Sequence, residues 1–373
     1  MLQTVSDAMT QAVSQGLFPG AVLMVHHDRQ LVLHEAYGSA SHIPQQTEMT
    51  RDTIFDLASL TKVVATTTAM MCLIADREIS LQDRISRFVP DFLSPDKESI
   101  TLFHLLTHSS GLPDWRPLYL EVSRLTREQS GVRNIVGAKL LLYELIHQEP
   151  LVYPTGSKSL YSDLGFILLG EVIEKVTQKS LDQFCEERIF VPLKMKDTFF
   201  LPLYTERQKY IQKTRKIAAT EDCPWRGRVL RGEVHDENAY IMGGIGGHAG
   251  LFGTAQDLYT FLKALLRSLR SENGFLPREM LKQFVTRQTL TPDSCWALGW
   301  TTPSEPSTSG QFFSPRSFGH LGFTGTSLWV DPEAKLMVIF LTNRIHPSRE
   351  NDKIRLFRPF LHDLIYQATA GKA

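Results

Sequence analysis

Strand-like runs lie near both ends of this chain and helical periodicity fills its middle, and that arrangement leaves few folds open. Near the start, Ala21-Val-Leu-Met-Val25 and Leu31-Val-Leu-His-Glu-Ala-Tyr37 flank the turn-prone His27-Asp28-Arg29, the pattern of a β-hairpin. Near the end, Thr326-Ser-Leu-Trp-Val330 and residues 335–342 flank Asp331-Pro332-Glu333-Ala334 in the same way. Amphipathic helices are expected outside the hairpins, over residues 3–15 and from about 352 to 368. Between them, leucines and isoleucines recur every three or four residues over 101–108, 134–147, 164–177 and 180–190, and Thr254 is placed to cap a helix running to Leu269. The expectation is an α/β fold: one antiparallel sheet built from both termini and flanked by helices, plus an all-helical insertion. Residues 1–78 and 245–373 would form the discontinuous α/β domain and 79–244 the helical domain with its substrate-side loops. At about 150 residues per domain, a length of 373 accommodates two or three such units. Residues 301–317, rich in Ser, Pro and Thr, read as a mobile surface loop.

Composition removes several functions. Forty basic and forty acidic side chains cancel, so no electrostatic footprint for nucleic acid is present. The four cysteines, Cys72, Cys185, Cys223 and Cys295, are dispersed and form no C-x-x-C pair, which reads as reduced thiols rather than a metal knuckle or a disulfide framework. The longest apolar run, Leu336-Met-Val-Ile-Phe-Leu341, is far short of the ~18 residues of a membrane span. The first residues, Met1-Leu-Gln-Thr-Val-Ser-Asp7, lack the basic start and apolar core of a signal peptide, so a cytoplasmic location is expected, or a periplasmic one if a leader has been removed. His235, Asp236, Glu237 and His248 are metal-ligand types, but consecutive residues point apart and the spacing matches no zinc pattern. No metal and no cofactor are expected.

Three segments carry chemistry. Phe55-Asp-Leu-Ala-Ser59-Leu-Thr-Lys62 leads into a helical run up to Ala75, and three-residue spacing puts the lysine on the serine's face of the helix. Serine is a weak nucleophile, so a neighbouring amine that takes its proton matters. Spacing alone is weak: Ser94-Pro-Asp-Lys97 has it too, and by spacing alone Ser59 with Lys62 reads rather as an N-cap serine beside a solvated lysine. The second segment is Leu160-Tyr161-Ser-Asp163-Leu-Gly, at the start of another helix. There Tyr161 could act as a base if a charge such as Lys62 pulled its pKa, ~10 when unperturbed, downward; packing and helix capping are the alternative. Third is Phe318-Gly-His320-Leu-Gly322-Phe323-Thr-Gly325, whose glycines let a strand edge approach a ligand, or merely soften a bulge. His108 reads as a structural hydrogen-bond partner.

Taken together the segments resemble the serine β-lactamase and penicillin-binding-protein superfamily, nearest its class C branch with the related serine esterases and D-amino-acid peptidases. Ile100-Thr-Leu-Phe-His-Leu-Leu-Thr-His-Ser-Ser-Gly-Leu-Pro113 and Gly250-Leu-Phe-Gly-Thr-Ala-Gln-Asp257 are similar to further hallmarks, so the likeness spans nearly the whole chain. It implies a β-lactamase/transpeptidase-like fold with Ser59 as the acylated nucleophile, Lys62 as its proton partner and Tyr161 as general base. The amides of Ser59 and Phe323 would form an oxyanion hole, His320 would stand where many members place a lysine, and Asp163, Gly322 and Thr324 would face the substrate. Two positions depart from the pattern. Asp163 replaces the Asn of Tyr-x-Asn, and His320-Leu-Gly322 replaces Lys-Thr-Gly, removing a permanent cation. Both changes agree better with an esterase-like member, working without a cofactor on small esters or D-alanyl-type amides. A β-lactamase or D,D-carboxypeptidase is the alternative in that class, and a non-catalytic scaffold with this fold the alternative outside it.

Overall fold

The computed structural model describes residues 2–92, 94–130, 135–271, 273–291 and 294–371. Its centre is a six-stranded antiparallel sheet in the order Thr47–Glu48, Gln30–Ser41, Gly20–His27, Leu336–Thr342, Ser327–Asp331 and Phe318–Leu321. The two sequence hairpins thus meet at the middle, where Ala21 pairs with Thr342 and His27 with Leu336. Alternation along the central strands explains why they read as unbroken apolar runs: Val22 and Met24 face one core and Ala21, Leu23 and Val25 another. The second core is closed by the helices Leu2–Ser14 and Ile354–Thr369, which contribute Val5, Met9, Phe357, Leu361 and Ile365. On the opposite face the first core is shared with the helical middle of the chain, including Leu105, Phe166, Leu169 and Phe261.

Most expected elements are present. Thr254 accepts a hydrogen bond from the Asp257 amide and caps the helix Ala255–Arg270. The expected helix at 180–190 forms as Leu181–Cys185 followed by a wide-turned segment, Glu186–Phe190. That at 134–147 is seen as Ile135–Gln148, with Asn134 itself outside the described residues. Helices Leu118–Ser130, Glu206–Thr214, Glu237–Ile241 and Arg278–Val285 were not read from periodicity; their polar faces dilute the apolar repeat. Residues 302–317 hold no helix or strand, yet they are pinned to the sheet. Phe313 packs edge-on against Trp329, and Ser314 bonds Asp331 through both its amide and its hydroxyl. All four cysteines are free thiols. No helix of the described residues is long and apolar enough to cross a membrane.

The element that positions the site is the helix after Ser59. It opens with a wide-turned stretch, Lys62–Thr67, in which Thr68 bonds the carbonyl of Val63, and continues as Thr68–Ala75. Single wide turns of this kind concentrate at functional sites. Lying against it is the glycine-rich loop around Gly247, whose carbonyl accepts from Thr66 at 2.6 Å and whose backbone abuts Gly170 on the helix Asp163–Thr177. A methyl group on Gly247 would lie 2.1 Å from the Phe166 carbonyl oxygen, so only glycine fits between the two helices. Gly247→Ala should therefore destabilise the fold by about 1–3 kcal/mol, as overpacking does. A urea midpoint equal to that of the wild type would show that the helices yield without cost.

Candidate active site

Local backbone geometry presents Ser59. Ala58, just before it, has φ 47°, a left-handed conformation that costs a non-glycine residue about 1–2 kcal/mol. The turn is held open by Asp56, whose Oδ1 accepts from the Ala58 amide at 2.9 Å and whose Oδ2 accepts from the His235 amide at 2.7 Å. A second turn, Gly322 to Gly325, is stitched to the first. Thr324 donates its hydroxyl to the Asp56 carbonyl at 2.8 Å, and Thr326 donates to the Leu57 carbonyl at 3.1 Å. Arg344 donates to the Phe323 carbonyl at 2.9 Å and Arg358 to that of Gly325 at 3.1 Å. Thr324 is buried in this seam, so the expectation that it faces substrate is corrected: it braces one turn against the other. Gly322 is required there, because a methyl group on it would strike the Thr326 hydroxyl at 2.1 Å and the Leu57 carbonyl at 2.7 Å.

Three side chains from distant segments meet at the serine. Lys62 Nζ lies 3.0 Å from Ser59 Oγ, and the Tyr161 hydroxyl donates to the same oxygen at 2.8 Å. Lys62 also donates to the His248 carbonyl at 2.9 Å and forms a 2.7 Å ion pair with Asp163. The other Ser-x-x-Lys in the chain does no such thing: Ser94 bonds Asp96, while Lys97 reaches the His147 carbonyl. Asp163 is presented by the start of its helix, where Ser162 is the N-cap, accepting from the Gly165 amide at 3.2 Å. His108 accepts from the Ser162 amide at 3.0 Å and so anchors the Tyr161 segment; its ring packs 4.7 Å from Tyr161 and 4.4 Å from Trp296.

Burial decides the charges. Lys62 is fully buried, which works against its ammonium, but Asp163 and Tyr161 beside it outweigh that and hold its pKa above the ordinary lysine value. Burial likewise pushes the Tyr161 phenol above its usual 10, and Lys62, already paired with Asp163, pulls it back by less. The expected lowering of the Tyr161 pKa is therefore corrected: the phenol rests protonated. Burial acts on His320 as well, whose ordinary pKa is 6.5. Burial and then the Lys62 charge push it down to about 3, so the ring is neutral. Its Nδ1 donates to the Leu321 carbonyl at 2.8 Å, leaving Nε2 as a bare acceptor with no protein partner.

A charged frame behind the site was not legible as such. The Asp236 carboxylate accepts from His248 Nε2 at 2.7 Å and from the Ala239 amide at 2.7 Å, thereby holding the loop whose carbonyl meets Lys62. Glu221 joins His235 at 3.1 Å and Arg349 at 2.5 Å, and Arg349 reaches Glu237 at 2.5 Å. The exposed Phe323 ring stacks on His235 with centroids 5.6 Å apart. Of the metal-ligand types in the sequence, Asp236 and His248 bond each other, while His235 pairs with Glu221 and Glu237 with Arg349; among the described residues no group of three or more is arranged to hold a metal ion. The only sequence signal was the concentration of His, Asp and Glu between Val234 and Asn238.

A family model described as Beta-lactamase matches residues 5–358. The chain belongs to the Beta-lactamase family. Among curated relatives, an N-acetylmuramyl-L-alanine amidase of Bacillus subtilis (strain 168) is 33% identical over 367 residues, covering 92% of this chain and 81% of the relative. A putative D-alanyl-D-alanine carboxypeptidase of Salmonella agona (strain SL483) is 32% identical over 384 residues, covering 95% and 85%. Among solved structures, EstCE1, a hydrolase with promiscuous acyltransferase activity, superposes with a TM-score of 0.72 at 22% identity, covering 96% of this chain and 98% of that one, a likeness of fold. This Beta-lactamase family member is accordingly a serine hydrolase.

Acid should weaken the protein through its buried histidines. His320 and His362 both fall from the ordinary 6.5 to about 3, in each case chiefly by burial. Below pH 6.5 the unfolded chain binds protons that the folded one refuses, so stability is full above 6.5 and declines as pH falls toward 3. The urea midpoint should drop steadily from pH 7 to pH 4, and His362→Phe should flatten part of that slope; a midpoint independent of pH would place both imidazoles in contact with water.

Proposed function

We propose that this protein hydrolyses amides or esters through an acyl-enzyme on Ser59. The observation that carries the reading is the double grip on Ser59 Oγ, at 3.0 Å from Lys62 Nζ and 2.8 Å from the Tyr161 hydroxyl, on a turn with a left-handed residue before the serine. Lys62 and Tyr161 move the serine proton to the leaving group. The Ser59 and Phe323 amides receive the oxyanion, a role supported by the seam that fixes their two turns together. Water then cleaves the acyl-enzyme with Tyr161 assisting. A fluorophosphonate probe should give one adduct that disappears in Ser59→Ala, and Lys62→Ala and Tyr161→Phe should each lower turnover by roughly 10²-fold or more. Near-wild-type turnover in Ser59→Ala would end the reading.

Neutral His320 bears on the substrate. A D,D-carboxypeptidase must hold the free carboxylate of its terminal D-alanine, and many members of the family place a lysine cation at this position. Here Nε2 is an unpartnered lone pair, which repels a carboxylate and accepts from an N–H or O–H. The preferred substrate is therefore an amide without a free carboxylate beside the scissile bond, as in the N-acetylmuramyl-L-alanine linkage that names one relative, with neutral esters second. N-acetylmuramyl-L-alanyl-D-isoglutamine should be turned over at least tenfold faster than a D-alanyl-D-alanine peptide, with no change in the ratio between pH 6 and 8 while His320 stays neutral. Faster cleavage of the D-alanyl-D-alanine peptide would overturn this choice.

A further inference from the structure

Lys62 Nζ donates to Ser59 Oγ at 3.0 Å and to the His248 carbonyl at 2.9 Å, and it forms an ion pair with Asp163 Oδ1 at 2.7 Å. Burial works against that charge, but Asp163 and Tyr161 beside the lysine outweigh it, so the resting side chain is an ammonium. Tyr161 meanwhile points its hydroxyl proton at Ser59. The resting arrangement thus holds no free base next to the nucleophile, although acylation must remove a proton from it. In contact with Lys62 lies a carboxylate that can take that proton, and it is the residue at which this chain departs from the family pattern.

Resting on the serine-hydrolase reading above, we propose that Asp163 is the terminal proton acceptor of a Ser59–Lys62–Asp163 relay, rather than a contact to substrate. As the Ser59 Oγ–carbon bond forms, the serine proton passes to Lys62 and a Lys62 proton passes to Asp163. The tetrahedral oxyanion, the Lys62 ammonium and a neutral Asp163 then leave the site with the net charge it began with. On collapse the bond from carbon to the leaving nitrogen or oxygen breaks. Tyr161 gives its proton to that atom, Lys62 refills Tyr161, and Asp163 returns its proton to Lys62. The serine proton has left with the amine or alcohol, and every protein group is restored. A short, buried contact favours such a shuttle because neither partner must reorganise solvent; Lys62 is wholly buried and the Asp163 side chain is 17% exposed. Asparagine at this position could accept no proton at neutral pH, so the substitution changes how the proton moves as well as how substrate is held.

The other groups around Lys62 do not supply an alternative. His108 and His320 are both pushed toward the neutral form, by burial first and the Lys62 charge second. His108 Nδ1 is occupied by the Ser162 amide, so its Nε2 carries a hydrogen, and His248 meets Lys62 through its carbonyl while its ring is committed to Asp236. Asp163, Tyr161, His108, His320 and the Asp236–His248 pair behind the carbonyl are thus the titratable groups facing the lysine.

The test is the pH dependence of kcat/KM from pH 5.5 to 10 for wild type, Asp163→Asn and Asp163→Glu, using a neutral p-nitrophenyl ester. The wild type should be flat from pH 6 to 9. In Asp163→Asn the buried lysine loses its counter-charge and becomes an amine more readily, so it must serve as the base itself. Activity should then be down by roughly 10²-fold at pH 7 and climb at least tenfold toward pH 10. Asp163→Glu, which keeps a carboxylate, should retain the flat profile whatever its rate. Should Asp163→Asn fail to fold, Asp163→Ser carries the same expectation. An Asp163→Asn profile parallel to the wild type would overturn the relay while leaving the Ser59 adduct with fluorophosphonate intact; loss of that adduct from the wild type would overturn the serine-hydrolase reading instead.

Discussion

The buried ammonium of Lys62 is the interaction on which the rest of this structure turns. A lysine shut away from water is costly unless its donors are met, and here they are met by a hydroxyl, a carbonyl and a carboxylate drawn from three different parts of the chain. Each acceptor imposes its own architecture. The hydroxyl demands the strained turn at Ala58 and the Asp56 carboxylate that holds it. The carbonyl demands the glycine loop wedged between two helices, with Asp236 and His248 locking it. The carboxylate demands that the helix Asp163–Thr177 begin at the lysine, with His108 anchoring its first residues. Much of what is unusual in the backbone is therefore bound up with one side chain.

The same burial sets the chemistry of the neighbours. With its charge taken up by Asp163, Lys62 does not turn Tyr161 into a phenolate, and with water excluded, His320 does not become a cation. The pocket is thus a balanced ion pair between neutral donors and acceptors. That character bears more on which acyl compounds it admits than the family outline does, because proteins of one fold differ in exactly such local charges. Phe323, exposed and stacked on His235, and Trp296, stacked on Tyr161, add aromatic surface around these polar groups.

Much of the fold and part of the site could be read along the chain. Hairpins and amphipathic helices declare themselves through periods of two and of three or four, and the contact of Ser59 with Lys62 follows from helical spacing. Ser94 and Lys97 show the limit of that reasoning, since equal spacing in a connector brought the side chains to different partners. Thr324 sits in a motif associated with substrate and yet is consumed in bracing two turns, which only the seam between Asp56 and the last hairpin explains. The His248 carbonyl was beyond any reading of side-chain types, because it is a backbone group brought to the site by a loop far along the chain.

The residues by themselves determined the main hairpins and helices, the serine, lysine and tyrosine that could do chemistry, and the two positions that depart from the motif pattern the chain resembles. Those are local properties, set by periodicity and by the functional groups each side chain carries. Tertiary structure alone decided the protonation of Lys62, Tyr161 and His320 and the partner of Asp163. A proton's affinity for its site depends on how much water is removed and which charges lie within a few ångströms, and both are settled by segments that meet only when the chain is folded.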